Sequence, residues 1–124
     1  DFMIVGGGWN AWGCATTSVD GVATLTNISA EAQNPWDVGF GQYGMTLVAG
    51  KSYKVTFDAG AAAERTMEIK VGLPTAPFTT FLSETVSLST SMETFSSVFV
   101  ITESTIGNGG LDFFMGAGGT ADVF

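Results

Sequence analysis

Apolar and polar residues alternate with a period of two along most of this 124-residue chain. In KSYKVTFDA, the residues Tyr53, Val55 and Phe57 would share one face of an extended strand, with charged and hydroxyl side chains on the other face. The segments RTMEIKVG, TFSSVFVI and GLDFFMG repeat this pattern. A period of two fits half-buried strands and does not fit an amphipathic helix, whose period is about 3.6. The pattern therefore predicts a protein built from strands.

Turn-forming residues separate these segments at roughly even intervals, at Asp20-Gly21, Ala49-Gly50, residues 72–77 and Asn108-Gly109-Gly110. The only segment with helical propensity, AGAAAERTM, lies between two strand segments, so we interpret it as a connection with about one turn. Nine or ten short strands without a long helix predict an all-β fold. We expect residues 1–124 to form a single antiparallel β-sandwich domain.

The composition excludes several classes of function. Twelve acidic residues against four basic ones give a net charge of -8, which repels nucleic acid and anionic membranes. Histidine is absent, so the commonest general base and transition-metal ligand are missing. No apolar run approaches the roughly 18 residues that a membrane helix needs. Cys14 has no second cysteine to pair with, and we expect a small buried thiol.

The segment GFGQYG matches G-x-G-x-x-G, the pattern of a dinucleotide-binding turn. That turn needs a helix beginning at its last glycine, because the pyrophosphate rests on the helix N-terminus. Here a strand and a turn follow, so the pattern does not favour nucleotide binding. We interpret the glycines as keeping one face of a strand low, so that a bulky ligand can approach the backbone.

Several aromatic residues fall outside the core pattern. Trp9 and Trp12 are three residues apart and would lie on opposite faces of a strand, one in the core and one exposed. Trp36 stands between Pro35 and Asp37, which suits a loop or a strand edge, although it could also cap one end of the core.

Two further aromatics extend this set. Phe78 follows a rigid loop, and Phe114 shares its face with Asp112 rather than with the core residues around it. Exposed aromatics beside polar groups suit a sugar, because a pyranose ring has an apolar face and a rim of hydroxyls. The alternation after Trp36 places its side chain on the same face as that of Gln42. A bulge at the glycines would reverse this assignment, so the face that Trp36 occupies stays open.

The chain also resembles a known family. The stretch NPWDVGFGQYGMTLVAGKSYKVTFDAGAAAERTMEIKVG, the APF loop, VSLSTSMETFSSVFVI and GLDFFMGAGG are similar to the family 4 and 9 group of carbohydrate-binding modules. The resemblance implies a jelly-roll sandwich, like galactose-binding domains, with a cleft that holds a β-1,3- or β-1,4-glucan or a xylan. It also implies a non-catalytic, monomeric, extracellular domain, excised from a larger secreted protein and tethered to a glycoside hydrolase.

The resemblance assigns roles to individual residues. Trp36 matches the aromatic of the PWD motif, Trp12 matches a sugar-stacking aromatic, and Phe78 matches the aromatic of the cleft-closing loop. Positions that supply polar groups in the family correspond to Gln42, Glu68 and Asp112. The family often has glutamine at Gly39 and Phe114 and a polar residue at Pro74, which predicts a thinner polar rim here. The predicted carbohydrate site comprises Trp12, Trp36, Gln42, Glu68, Phe78, Asp112 and Phe114.

This interpretation requires no cofactor. Many relatives bind a structural calcium ion, and Asp1, Asp20 and Asp122 supply hard oxygen ligands here, so calcium stays open.

Two other functions compete. A glycoside hydrolase needs only two carboxylates, and the chain offers many acids, although none is marked as paired: Asp37, Asp58, Glu64, Glu68, Glu84, Glu93, Glu103 and Asp112. A structural or adhesive sandwich would instead use its exposed aromatics, in one flat patch, for protein contacts.

Overall fold

The computed structural model describes residues 9–20, 22–73, 79–102 and 106–124. These residues form nine strands and one 3₁₀ turn, and no α-helix occurs among them. The strands are β1 (Trp9–Trp12), β2 (Ala15–Val19), β3 (Val22–Thr26), β4 (Gly39–Leu47), β5 (Ser52–Ala59), β6 (Arg65–Gly72), β7 (Thr80–Leu88), β8 (Glu93–Val100) and β9 (Ile106–Phe114), and the 3₁₀ turn is Pro35–Asp37. The predicted all-β architecture is therefore confirmed.

The strands form two antiparallel layers. One layer is a five-stranded sheet in the order β1-β4-β9-β6-β7. The other contains the pairs β2-β3 and β5-β8, and Val123 lies between them through bridges to Leu25 and Ala61. The amide of Leu25 donates to the carbonyl of Val123 at 2.7 Å, so the C-terminal residues complete this layer.

The core lies between the layers and follows the alternation in the sequence. Tyr53, Val55 and Phe57 of β5 point inward, as predicted, and Phe57 packs edge-on against Phe113 of the opposite sheet at 5.0 Å between ring centroids. Trp9 stacks on Phe40 at 4.7 Å. Each large apolar side chain buried in this way contributes about 1.5–3 kcal/mol. Because side chains alternate between the two faces of a strand, the residues between these core positions lie on the outer face of the five-stranded sheet.

That outer face of the five-stranded sheet carries two rows of residues that run across the strands. The strand register aligns one polar row, which consists of Asn10, Gly41, Asp112, Lys70 and Ser83. It also aligns one aromatic row, which consists of Trp12, Gly39, Phe114, Glu68 and Thr85. Neighbouring positions in a row are about 4.8 Å apart, and the two rows are about 6.8 Å apart along the strands.

A buried arginine holds the segment that follows β9. Arg65, at the start of β6, is 6% exposed and donates to the carbonyls of Met115, Gly119 and Ala121 at 2.6, 2.8 and 3.1 Å. Burial lowers the pKa of its guanidinium. The N–H groups of the guanidinium lie in a fixed planar arrangement, which lets them donate hydrogen bonds to several carbonyls at once. The segment 115–121 is therefore held against the start of β6.

Residues 60–64, within the segment of helical propensity, form a bridge and bends and no helical turn before β6 begins. In the described part of the chain, no helix has the length and apolar character needed to cross a membrane.

Candidate functional site

A cleft of about 670 Å³ lies over the outer face of the five-stranded sheet. Aromatic residues line one part of it and polar residues line the rest. Its walls and floor are formed by Trp12, Trp36, Tyr43, Glu68, Lys70, Leu73, Thr80, Ser83, Asp112 and Phe114. The cleft thus covers parts of both the polar row and the aromatic row.

The 3₁₀ turn holds Trp36 at the cleft. Pro35 occupies its first position, where a fixed backbone angle favours helical geometry. The carboxylate of Asp37 accepts hydrogen bonds from the backbone amides of Gln33 and Asn34 at 3.1 and 2.9 Å. These bonds lower the pKa of Asp37, which therefore accepts them as a carboxylate at neutral pH. The turn is held by its own residues, and the Trp36 side chain remains 59% exposed.

Trp12 forms the wall next to Trp36. Its Nε1 donates to the Trp36 carbonyl at 2.8 Å, which ties β1 to the 3₁₀ turn. Its indole lies over Gly39, where an added Cβ would overlap the ring. It also meets Phe114 edge-on, with 6.3 Å between centroids and an interplanar angle of 65°. Glycine at position 39 is therefore needed for the close approach of Trp12 to the sheet.

Tyr43 and Asp112 form the floor. The Tyr43 hydroxyl donates to Asp112 Oδ1 at 2.5 Å, and Asp112 is only 8% exposed. Burial raises the pKa of Asp112, an effect that the Tyr43 hydrogen bond and the Lys70 charge partly offset. Burial and the neighbouring carboxylate also raise the pKa of Tyr43, which remains a hydrogen-bond donor.

The glycines of β4 and β9 make this floor possible. A Cβ at Gly41 would overlap the Asp112 carboxylate and lie 2.6 Å from the Tyr43 hydroxyl, and one at Gly110 would lie 2.6 Å from the Tyr43 ring. The interpretation that the glycines leave space for a ligand is corrected here. The glycines leave space for the protein's own side chains, because Trp12, Tyr43 and Asp112 lie flat on the backbone at these positions.

Polar groups extend across β6 and β7. Glu68 Oε1 accepts a hydrogen bond from Ser83 Oγ at 3.3 Å, and Lys70 pairs in register with Asp112. The cleft therefore combines flat apolar rings at one end with donors and acceptors at the other. This arrangement suits a ligand that has both an apolar face and hydroxyl groups.

The structure brings most of the predicted site residues together. Trp12, Trp36, Glu68, Asp112 and Phe114 all line the cleft. Their roles in binding remain predictions.

Three predicted site residues either differ from expectation or lie outside the described part of the chain. Phe114, expected as an exposed ring, is only 9% exposed because Trp12 covers it. Gln42 does not line the cleft, since its register with Trp9 and Leu111 places it on the core-facing side of β4. Phe78 lies outside the described residues, as does Pro74.

Other cleft residues were not predicted. Tyr43 lies two residues after Gly41, and Lys70 lies two residues after Glu68. Because side chains two apart on a strand share a face, the alternation could have identified both residues as outward-facing. Ser83 follows from its pairing with Lys70, which only the fold determines. Leu73 and Thr80 lie at strand ends, where the sequence shows no pattern.

Metal ligands do not converge in the part of the chain that the structure describes. No group of three or more acidic, cysteine or histidine side chains with metal-binding geometry occurs there. Asp20 and Asp122 are among these residues, while Asp1 lies outside them. The suggested calcium site stays a prediction.

Comparison with known proteins identifies similar molecules. A family model described as a carbohydrate binding domain (CBM_4_9) matches residues 2–122. A solved structure described as "CBM4 structure and function" is 24% identical over 93% of this chain and 80% of that chain, with a TM-score of 0.82. The N-terminal cellulose-binding domain of Cellulomonas fimi β-1,4-glucanase C is 21% identical over 94% and 82%, with a TM-score of 0.75.

A third structure, described as BiXyn10A CBM1 in its apo form, is 14% identical over 99% of this chain and 88% of that chain, with a TM-score of 0.75. No curated protein sequence matches the chain. At these identities the structural likeness establishes the fold.

Proposed function

Because the chain belongs to the CBM_4_9 family of carbohydrate-binding domains, we propose that its cleft binds a single neutral polysaccharide chain, a β-1,3- or β-1,4-glucan or a xylan. Domains of this class hold carbohydrate without reacting it, so the chain is a non-catalytic module. The alternative that the chain is itself a glycoside hydrolase is therefore not favoured.

The observation that carries the proposal is the exposed Trp36 ring beside Trp12 in a concave cleft. An aromatic ring stacked on a sugar face contributes about 0.5–1.5 kcal/mol beyond area burial, by analogy with aromatic pairs. Each neutral hydrogen bond from the polar row adds about 0.5–1.5 kcal/mol. After the costs of association, two or three such rings and a few bonds correspond to roughly micromolar to millimolar affinity.

The rows suggest how the ligand lies. Five strands about 4.8 Å apart span roughly 19 Å, long enough for several sugar units placed across the strands. Such a chain would have the rings of Trp12 and Trp36 on one side and the groups of Asp112, Lys70 and Ser83 on the other. The apolar face and the hydroxyl rim of each sugar would then meet matching surfaces.

The relatives favour the same ligands. The Cellulomonas fimi domain is described as cellulose-binding and belongs to a β-1,4-glucanase, which supports a β-1,4-glucan. We extend the proposal to a module of a larger extracellular protein that tethers a glycoside hydrolase to its polysaccharide. A structural or adhesive role is less favoured, because Trp12, Trp36 and Tyr43 line a concave cleft with polar groups between them rather than one flat patch.

Affinity electrophoresis tests the proposal. Wild-type protein should be retarded by at least one of laminarin, soluble cellulose derivatives and xylan, and titration with matching oligosaccharides should then rank the linkages. An assay for released reducing sugar should stay at background. If none of these polysaccharides retards the protein, the proposed function is wrong.

A further inference from the structure

A smaller pocket, here called the side pocket, adjoins the cleft on the same sheet face. It has a volume of about 140 Å³ and shares two walls with the cleft, Glu68 and Phe114. Thr85 faces it in register with Glu68, and Thr66 lies two residues before Glu68 on β6. The side pocket therefore lies beyond the aromatic row, on the side opposite the polar row.

The 3₁₀ turn stands between the two cavities. Trp36 lines the cleft, and the adjacent Pro35 lines the side pocket. A sugar unit held beside Trp36 would thus have one edge toward the polar row and the other toward the side pocket. A substituent on that second edge would enter the side pocket while the main chain stays in the cleft.

Backbone contacts hold the outer wall of the side pocket. The amide of Gly116 donates to the Pro35 carbonyl at 2.9 Å, and the amide of Thr66 donates to the Gly118 carbonyl at 3.4 Å. An added Cβ at Gly118 would overlap the Thr66 carbonyl, so this segment lies directly against β6. The wall is therefore formed before any ligand binds, which reduces the entropy lost on binding.

The chemistry of the side pocket selects its occupant. Phe114 and Pro35 supply apolar surface, Thr66 and Thr85 supply hydroxyls, and Glu68 supplies a carboxylate. None of the described residues that line the side pocket is cationic, and the chain carries a net charge of -8. An anionic substituent would be repelled, whereas hydroxyl groups can donate to Glu68.

The size limits the occupant further. At roughly 30 Å³ for each water molecule, the side pocket holds about four or five waters, enough for part of one sugar ring but not for a second chain. We propose that the side pocket is a subsite for a single neutral monosaccharide branch on the polysaccharide whose main chain occupies the cleft. This inference rests on the proposed function, and it makes the domain selective for branched over linear chains.

Calorimetric titration with matched oligosaccharide pairs tests this selectivity. Each pair has one main chain, linear in one member and singly branched in the other: xylohexaose with and without arabinosyl, cellohexaose with and without xylosyl, and laminarihexaose with and without a β-1,6-glucosyl group. We expect at least one branched member to bind about fivefold more tightly than its linear partner, an effect of the size of one or two hydrogen bonds.

Thr85→Phe provides the decisive variant, because Thr85 is exposed and lines the side pocket but not the cleft. Filling the side pocket should abolish the preference for the branched member while leaving the affinity for the linear member within twofold. Val98→Phe is the control, since it adds the same ring at an exposed position on β8 of the other layer and lines neither cavity, and it should keep the preference.

Two results would overturn the side-pocket subsite alone. One is equal affinity for linear and branched members in every pair, and the other is an unchanged preference in Thr85→Phe. Failure of the wild-type protein to bind any of the six oligosaccharides would overturn the proposed function as well.

Discussion

Trp36 shows how a single aromatic residue can be kept exposed at the edge of a cleft. Single exposed apolar side chains are common on proteins. Trp36 differs from them because a proline, an acid-capped turn and the Trp12 indole N–H all hold its backbone in place. The hydrogen bonds and packing around it would form equally well with a smaller side chain, so the ring itself contributes little to folding.

Replacing Trp36 with alanine should therefore separate binding from stability. We expect polysaccharide affinity to fall more than tenfold and the thermal midpoint to move by less than about 2 °C, as for an exposed site. Titration calorimetry and scanning calorimetry measure the two effects. Val98→Ala is the control, because Val98 is 63% exposed on β8 of the other layer and should change neither quantity. A large loss of stability with unchanged affinity would assign Trp36 to the core.

The predicted cleft residue Phe78 is tested in the same way, and Phe78→Ala should also weaken binding more than tenfold with little effect on stability.

Asp112 makes stability depend on pH in a defined direction. Its pKa in the folded protein is raised above the ordinary value of 3.8, chiefly by burial. The folded state therefore holds the proton more tightly than the unfolded state does. Stability falls as pH rises from 3.8 through the raised value, because ionisation then places a charge in a poorly solvated site.

Replacing Asp112 with asparagine removes the loss of stability that ionisation of this buried carboxyl group causes. The variant should melt above wild type at pH 7, by roughly 2–8 °C for each kcal/mol gained, and the difference should vanish near pH 3. Thermal melts across this pH range measure it. Glu64→Gln, which removes one carboxylate from an exposed site, is the charge-matched control. A variant less stable than wild type at pH 7 would contradict the argument.

At the scale of the element, β4 decides how close the aromatic wall lies to the sheet. Its outward positions carry Gly39, Gly41 and then Tyr43. No side chain therefore projects from the strand at the two positions where Trp12 and Asp112 lie against the backbone. Glycine usually weakens a strand, since it has no side chain to pack and loses more entropy on folding. Here that cost is offset by the contacts that the rings make over the backbone.

Gly39→Ala tests this role. The added methyl group would displace the Trp12 indole and break its bond to the Trp36 carbonyl, so we expect affinity to fall at least fivefold. Tryptophan fluorescence should shift to longer wavelength as the ring moves into water. Gly107→Ala in β9 is the control, because no atom lies within 4 Å of its added Cβ. Unchanged fluorescence and affinity in Gly39→Ala would contradict this account of β4.

At the scale of the whole molecule, the net charge of -8 limits the partners of the cleft. A neutral polysaccharide has no charge to interact with this field, whereas a polyanion is repelled at low salt. The cleft itself contains Glu68, Asp112 and Lys70, so its local charge has the same sign as that of the chain.

Binding of the neutral ligand should therefore be insensitive to salt. Between roughly 0.05 and 0.5 M NaCl, over which charge screening changes strongly, we expect the dissociation constant to change less than twofold. Polygalacturonate, an acidic polysaccharide, is the control and should not bind at the lower salt concentration. A tenfold loss of affinity with salt would show that charge, rather than stacking, dominates recognition.

Local patterns in the sequence predicted much of the fold and part of the site. The core faces of β5 and β6, the opposite faces of Trp9 and Trp12, and the shared face of Asp112 and Phe114 all follow from the period of two. That period depends only on neighbouring residues in one strand. It left the face of Trp36 open, because the 3₁₀ turn interrupts the alternation between Trp36 and β4.

The amino-acid sequence by itself therefore determined the strands, their inward and outward faces and the acidic, histidine-free character of the chain. The tertiary structure decided which outward residues meet. The order β1-β4-β9-β6-β7 places Trp12 over Gly39 and Phe114, joins Tyr43 to Asp112, and leaves Gln42 on the core side. The physical reason is that a residue's face depends on its own strand, whereas its neighbours depend on pairing between segments far apart in the chain.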